Sequence, residues 1–207
     1  LDELDKALED LNRALQIDPN HIHSLHKRAE IYRMTKKYED ALVDLNKIID
    51  IYPDPCYIGL RGNIYRFLGR YEEALKDLND VLKLDPKNRF ALTMRGRLYG
   101  VLDKYEDALD DINELLKVIP DDIWGLTTRG DVYRRQWKMD DALKDLNKAL
   151  KIDPNHTFAL RIRGMVYYSL KNHKKAIIDL DKSLRTENDY EFKIKMLKIY
   201  HQMGLYL

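Results

Sequence analysis

The feature that most constrains this chain of 207 residues is that it repeats itself about every 34 residues. The segment RGNIYRFLGRYEEALKDL begins at Arg61 and returns as RGRLYGVLDKYEDALDDI at Arg95, RGDVYRRQWKMDDALKDL at Arg129 and RGMVYYSLKNHKKAIIDL at Arg163. A less regular copy begins at Arg28. A fixed period of this length is typical of an array in which each unit buries its apolar face against its neighbours.

Four kinds of residue mark the repeat. Alanines recur with spacings of 34, 33, 34, 34 and 34 residues, at Ala7, Ala41, Ala74, Ala108, Ala142 and Ala176. Small residues stand at Ala29, Gly62, Gly96, Gly130 and Gly164, each followed three positions later by Tyr32, Tyr65, Tyr99, Tyr133 or Tyr167. Prolines follow the first five alanines after twelve residues, at Pro19, Pro53, Pro86, Pro120 and Pro154.

Each unit predicts two helices. The first carries apolar residues at helical spacing, as in Leu92, Gly96 and Tyr99. The second has acids in its first turn, such as Glu106, and is ended by the proline, which cannot continue the hydrogen-bond ladder. A glycine inside a helix costs about 1 kcal/mol against alanine. Its recurrence therefore predicts that the second helix approaches closest at the glycine, opposite the alanine twelve residues later.

The order Gly96, Tyr99, Tyr105, Ala108 and Pro120 resembles the tetratricopeptide repeat, and the resemblance covers nearly the whole chain. It implies an all-α fold: a right-handed α-solenoid of stacked antiparallel helix pairs whose first helices line a concave groove. On this alignment residues 1–207 form a single solenoid. Its parts are a half repeat at 1–21 (a second helix), full repeats at 22–54, 55–88, 89–122, 123–156 and 157–189, and a half repeat at 190–207 (a first helix).

An arginine precedes each small residue, and an aspartate follows it after sixteen residues. The pairs are Arg28 with Asp44, Arg61 with Asp77, Arg95 with Asp111, Arg129 with Asp145, and Arg163 with Asp179. A guanidinium pairs well with a carboxylate in partly dry surroundings. We therefore predict structural ion pairs between the two helices of each repeat, in preference to a basic ladder for phosphates.

A stripe along each first helix is the predicted binding surface, because the resemblance places it in the groove. The stripes are His23, His26, Glu30, Arg33; Cys56, Gly59, Asn63, Arg66; Phe90, Thr93, Arg97, Gly100; Trp124, Thr127, Asp131, Arg134; and Phe158, Arg161, Met165, Tyr168. Five arginines face two acids, although the whole chain carries a net charge of only +1. This excess favours an anionic partner. Phe90, Trp124 and Phe158 form an apolar column suited to anchoring side chains, unless they pack against the neighbouring repeat.

These observations predict a scaffold that binds another protein, through an extended acidic segment held in the arginine-bearing groove. Single-stranded nucleic acid, bound by the same arginines and aromatic rings, is the alternative. The sequence pI of 7.9 and the placement of ten of the fourteen tyrosines at repeat slots disfavour it.

No arrangement of residues predicts catalysis. The histidines of HIHSLH lack a further ligand for zinc, and Gly59-x-x-Gly62 lacks the lysine and hydroxyl residue of a phosphate loop. We therefore expect neither an enzyme nor a bound metal or cofactor. The single cysteine, Cys56, and the lack of a long apolar run favour a cytoplasmic protein that does not enter a membrane.

The two ends carry half repeats with apolar residues that lack a partner helix, such as Leu8 and Leu11 at one end and Leu197 and Tyr200 at the other. A solenoid normally covers its ends with a polar face. A fragment of a longer solenoid and head-to-tail self-association through these halves are the two explanations, and we expect both properties together.

Overall fold

The computed structural model describes residues 2–186, in which there are eleven helices and no strand. The helices are α1 (Asp2–Ile17), α2 (Ile22–Met34), α3 (Tyr38–Ile51), α4 (Pro55–Phe67), α5 (Tyr71–Leu84), α6 (Arg89–Val101), α7 (Tyr105–Val118), α8 (Ile123–Arg135), α9 (Met139–Ile152), α10 (Thr157–Ser169) and α11 (His173–Thr186). The predicted all-α class of paired helices is confirmed.

The helices alternate in the predicted order. The even-numbered helices are the first helices of the repeats, and the odd-numbered ones are the second helices. Each second helix from α1 to α9 ends two residues before its proline, as Val118 does before Pro120. The exact repeat boundaries stay a prediction, and the predicted half repeat at 190–207 lies outside the described residues.

The chain divides into two compact units, Leu1–Leu98 and Tyr99–Leu207. In the first unit α2 packs against α1 and α3, and α4 packs against α3 and α5. The core contains aliphatic residues from four of these helices. They are Leu15, Leu25, Ala29, Ala41, Leu42, Leu45, Ile48 and Ile64. The alanines of the repeat therefore lie where two helices meet, as their spacing predicts.

In the second unit α8 packs against α7 and α9, and α10 packs against α9 and α11. The core again combines a repeat alanine, Ala142, with two further alanines, leucines, isoleucines and a valine. Its buried members are Ile112, Leu116, Leu126, Ala142, Leu146, Ala149, Leu150, Ala159, Leu160, Ile162 and Val166. A smaller cluster around Ala176 and Leu180 joins α10 to α11. The regular burial of the same slots explains how one sequence pattern builds every repeat.

The turns between the two helices of each repeat pass through a left-handed residue. The positions and φ values are Lys36 (60°), Gly69 (73°), Asp103 (57°), Trp137 (61°) and Lys171 (58°). In each turn the next N–H donates to the carbonyl of the repeat tyrosine, as Lys138 N does to Tyr133 O at 2.9 Å. This bond closes the end of the first helix and reverses the chain.

The glycine slot marks the close approach of the second helix. A Cβ on Gly130 would lie 2.8 Å from Leu146 Cγ, and one on Gly164 would lie 2.7 Å from Leu180 Cγ. The carbonyls of Ala142 and Ala176 are the next neighbours, at 3.4 and 3.3 Å. The close approach opposite the alanine is thus present, but a leucine four residues further on makes the tightest contact.

Candidate functional site

Four arginines of the repeat hold the aspartate of the same repeat with two hydrogen bonds each. In each, Nε and Nη2 donate to the two carboxylate oxygens. The distances are 2.9 and 2.7 Å for Arg28–Asp44, 2.8 and 2.8 Å for Arg61–Asp77, 2.6 and 2.9 Å for Arg129–Asp145, and 2.7 and 2.8 Å for Arg163–Asp179. The aspartates are buried. In these four repeats the arginine thus joins the first helix to the second by an ion pair, and it is not left free as a phosphate-binding ladder would require.

These ion pairs raise the pKa of the arginines. The hydrogen bond to Asp77 raises the pKa of the Arg61 guanidinium, while burial acts in the opposite direction. The hydrogen bond to Asp145 does the same for Arg129. The remaining predicted pair, Arg95 with Asp111, has its members in different units, and its formation stays a prediction.

A third contact of these arginines reaches the preceding repeat, and the sequence analysis missed it. Nη1 of each arginine donates to the amide oxygen of an asparagine on the preceding second helix. The bonds are Arg28–Asn12 (2.7 Å), Arg61–Asn46 (2.9 Å), Arg95–Asn79 (2.6 Å), Arg129–Asn113 (2.8 Å) and Arg163–Asn147 (2.8 Å). The asparagines were visible at a fixed slot, and their regular spacing was the signal. We call the arginine, its aspartate and this asparagine the clip.

The predicted stripe is only partly exposed. Gly59, Thr93, Gly100 and Thr127 are buried, so they cannot contact a partner as the stripe implied. The Phe90 ring covers Gly59, where an added Cβ would lie 3.2 Å from it. Thr127 donates its hydroxyl to Ile123 O at 2.7 Å, within its own helix. Successive residues turn by about 100° around a helix, so the second and fourth residues of a stripe lie about 60° and 80° to one side of the first. All four buried residues occupy one of these two slots.

In the second unit the stripe's arginine is already paired. Arg134 Nε donates to Asp131 Oδ1 at 2.9 Å, and Arg135 Nε donates to Asp131 Oδ2 at 3.1 Å. Both oxygens of this carboxylate are therefore occupied. The charge of Arg134 is compensated locally, which weakens its predicted role in holding an acidic ligand.

In the first unit the corresponding arginine has an amide for a neighbour. Arg66 donates from Nε and Nη2 to Asn63 Oδ1 at 3.2 and 3.1 Å, and its guanidinium lies 4.2 Å from the centre of the Phe67 ring. Arg33, which occupies the same stripe position on α2, is exposed to solvent. Neither Arg33 nor Arg66 has a hydrogen bond to a carboxylate among residues 2–186, whereas Arg134 of the second unit has one.

Two of the predicted aromatic residues meet in the second unit. The rings of Trp124 and Phe158 are stacked with centroids 6.3 Å apart, and Trp124 is 43% exposed. The guanidinium of Arg161 lies 5.1 Å from the Phe158 centroid. Tyr168, predicted to line the groove, packs partly against the cluster of Ala176 and Leu180. Phe90 and Arg97 lie on α6, where Phe90 is 38% exposed.

Two other kinds of site are absent from residues 2–186, the described part of the chain. No helix there is long and apolar enough to cross a bilayer. No group of three or more histidine, cysteine or acidic side chains there is arranged to hold a metal ion.

Paired helices, repeated clips and partly exposed first-helix stripes define a helical-repeat protein. Tetratricopeptide repeat models match residues 23–55, 59–88, 124–156 and 162–190, which together exceed half of the chain. The chain belongs to the tetratricopeptide repeat family, and its fold is a scaffold for protein–protein interaction.

A curated relative shares a short stretch with the chain. Over 48 residues, 23% of this chain, it is 40% identical to sperm-associated antigen 1 of Mus musculus, and the match spans only 5% of that protein. Solved structures share the fold. A tetratricopeptide repeat protein of Parabacteroides merdae is similar with a TM-score of 0.74, 22% identity, and coverage of 97% of this chain and 80% of that one. A thermophilic tetratricopeptide repeat protein of Thermus thermophilus is similar with a TM-score of 0.78 and 17% identity, and the match covers 86% of this chain and 98% of that one.

Proposed function

We propose that this chain binds an extended, acidic segment of another protein along the stripes of its first helices. The observation that carries the proposal is the contrast between two sets of arginines. Those of the clips are held by buried aspartates, whereas Arg33 and Arg66 on the stripes have no hydrogen bond to a carboxylate among the described residues. An anionic partner supplies Arg66 with a carboxylate, and it adds a second one beside Arg33, whose charge already acts on Glu30 of the same helix.

The aromatic residues of the second unit supply apolar anchors for the same class of ligand. The exposed part of Trp124, stacked on Phe158, offers a rigid surface for an aliphatic or aromatic side chain. Arg161, against Phe158, adds a positive charge beside that surface. Within the second unit, a segment that alternates acidic and apolar residues would use both the Trp124–Phe158 surface and the charge of Arg161.

Fluorescence anisotropy with labelled peptides tests the proposal. The probes are a glutamate-rich peptide containing leucine and phenylalanine, the same peptide with glutamine for glutamate, and a single-stranded RNA of similar charge. We expect the acidic peptide to bind and the glutamine peptide to bind much more weakly. Stronger binding of the RNA, falling steeply with salt, would replace the proposal by the nucleic-acid alternative.

A charge-reversal variant locates the surface. Arg33→Glu/Arg66→Glu/Arg161→Glu should abolish binding of the acidic peptide. The matched control, Lys6→Glu/Lys76→Glu/Lys144→Glu, makes the same charge change at exposed positions of second helices and should bind nearly as the wild type does. Equal losses in both variants would mean that only net charge matters, and the stripe proposal would then be wrong.

A further inference from the structure

We propose that Arg66 is the anchor of the first unit for a glutamate or aspartate carboxylate of the bound segment, and that residue 63 decides whether this anchor is available. The inference rests on the proposed function and names the group that performs it. A carboxylate at position 63 would compensate the charge of Arg66 and in that sense close the anchor, whereas the neutral asparagine that stands there leaves this charge for a ligand.

The hydrogen bonds of Arg66 leave part of its guanidinium unused. Of the five N–H donors of an arginine, Nε and one of the two on Nη2 point to Asn63 Oδ1, at 3.2 and 3.1 Å. The pair on Nη1 and the second donor on Nη2 have no hydrogen-bond partner among residues 2–186. Together they form the end-on fork that binds a carboxylate with two parallel bonds.

The surroundings hold the guanidinium in place and partly out of water. It lies 4.2 Å from the Phe67 ring centre, and Phe67 is in turn stacked on Tyr38, with centroids 5.1 Å apart and planes nearly parallel. Burial lowers the pKa of the Arg66 guanidinium, against smaller opposing effects of Tyr38 and Tyr71. Arginine nevertheless keeps its charge. A partly desolvated cation without a carboxylate is stabilised most by a ligand that brings one.

The second unit shows the closed form of the same arrangement. Asp131 and Arg134 stand two repeats after Asn63 and Arg66, with the same separation of three residues along a first helix. The carboxylate of Asp131 accepts from Arg134 at 2.9 Å and from Arg135 at 3.1 Å. The chain therefore already tolerates a carboxylate at this slot, and the natural difference between the two units supplies the design of the test.

The decisive variants exchange the two states. Asn63→Asp gives Arg66 an internal carboxylate, and we expect roughly tenfold weaker binding of the labelled glutamate-rich peptide, as expected for loss of one charge-assisted contact. Asp131→Asn removes the internal carboxylate from Arg134, so binding should be as tight as in the wild type or tighter. Gln16→Glu and Asp110→Asn make the same charge changes at exposed positions of α1 and α7, and they correct for net charge.

A second readout observes the arginine itself. The Nε–H resonance of Arg66, assigned through its loss in Arg66→Lys, is followed by NMR while an acetylated tetraglutamate peptide is added. We expect a saturable shift in the wild type and none in Asn63→Asp. A resonance that does not move overturns the inference, and so does Asn63→Asp binding the longer peptide like the wild type. The latter result leaves the proposed function standing. A shift at Arg66 without binding of the longer peptide refutes the proposed function, and it then shows only that Arg66 can bind a carboxylate.

Discussion

Arg129 donates from Nη1 to Asn113 at 2.8 Å while its Nε and Nη2 hold Asp145 at 2.6 and 2.9 Å. One guanidinium thus joins three successive helices, α7, α8 and α9, and links one repeat to the next. The same geometry recurs at Arg28, Arg61 and Arg163. This explains why an arginine stands at a slot where an apolar residue would pack: it fixes both the pairing within a repeat and the contact between repeats.

The first prediction concerns the aspartate of the clip. Asp145→Ala should lower the free energy of unfolding by about 3 kcal/mol, because it leaves the Arg129 guanidinium partly buried without its carboxylate. Urea unfolding followed by circular dichroism measures the change. Asp110→Ala, at an exposed position of the same unit, should change stability by less than about 0.5 kcal/mol. Equal stabilities of the two variants would show that the ion pair contributes nothing.

The second prediction concerns the asparagine. Asn113→Ala removes one hydrogen bond to a charged group and should cost about 1–2 kcal/mol, less than the loss of Asp145. Because both residues act on the same guanidinium, the effects of Asn113→Ala and Asp145→Ala should not add in the double variant. Strict additivity would mean that the two contacts are independent, contrary to a shared clip.

The sequence predicted the fold well because its strongest signal, the period, concerns packing that every repeat shares. The recurring separation of sixteen residues also predicted the ion pair between arginine and aspartate, which is present in four repeats. The contact with the asparagine was not predicted. Arg129 has a polar residue sixteen positions before it, Asn113, and another sixteen positions after it, Asp145, and the prediction used only the second. The same regularity that revealed the repeat thus concealed that each arginine has partners in two directions.

The candidate site was harder to predict, because it depends on side-chain conformations and not on the period. Asp131 and Arg134 have the spacing of a helical ion pair, yet spacing alone does not tell whether the arginine turns to its neighbour or to a ligand. The partly buried setting of Arg66 comes from Phe67 and Tyr38, which the stripe did not include. The buried Thr127 likewise depends on the exact rotation of α8 against its neighbours.

The third prediction uses the glycine slot as a graded series. A Cβ on Gly164 would lie 2.7 Å from Leu180 Cγ, whereas one on Gly62 would lie no closer than 3.2 Å to its nearest neighbour, Asp77 Cβ. Gly164→Ala should therefore destabilise by about 1–3 kcal/mol through overpacking. Gly62→Ala should cost less, because the better helix propensity of alanine offsets a milder contact. Thermal unfolding of both variants tests the order, and a more stable Gly164→Ala would contradict the close approach.

The fourth prediction concerns the turn at Trp137. This residue has a φ of 61° and a side chain that is 75% exposed, so its bulky ring sits in a strained conformation and buries little surface. Gly69 occupies the equivalent turn of an earlier repeat. Trp137→Gly should raise the free energy of unfolding by up to about 1 kcal/mol, because glycine adopts this conformation without the penalty of a Cβ. Trp137→Ala, which keeps the Cβ, should give no such gain in the same urea titration.

The last prediction concerns the reactivity of Cys56. Cys56 is exposed at the start of α4, but partial desolvation by its neighbours raises the pKa of this thiol, and the negative charge of Asp54 raises it further. Because the thiolate is the nucleophile, the folded protein should react with a disulfide reagent more slowly near neutral pH than the urea-unfolded chain does. The rate should rise with pH through a midpoint above the ordinary value for cysteine. In the wild type, Cys56 N donates to Asp54 Oδ1 at 2.7 Å and so caps α4. Asp54→Asn keeps an oxygen acceptor at this position but removes the charge. It should react faster, yet still more slowly than the unfolded chain, since desolvation is the larger cause. A midpoint at or below the ordinary value would contradict this account of the thiol.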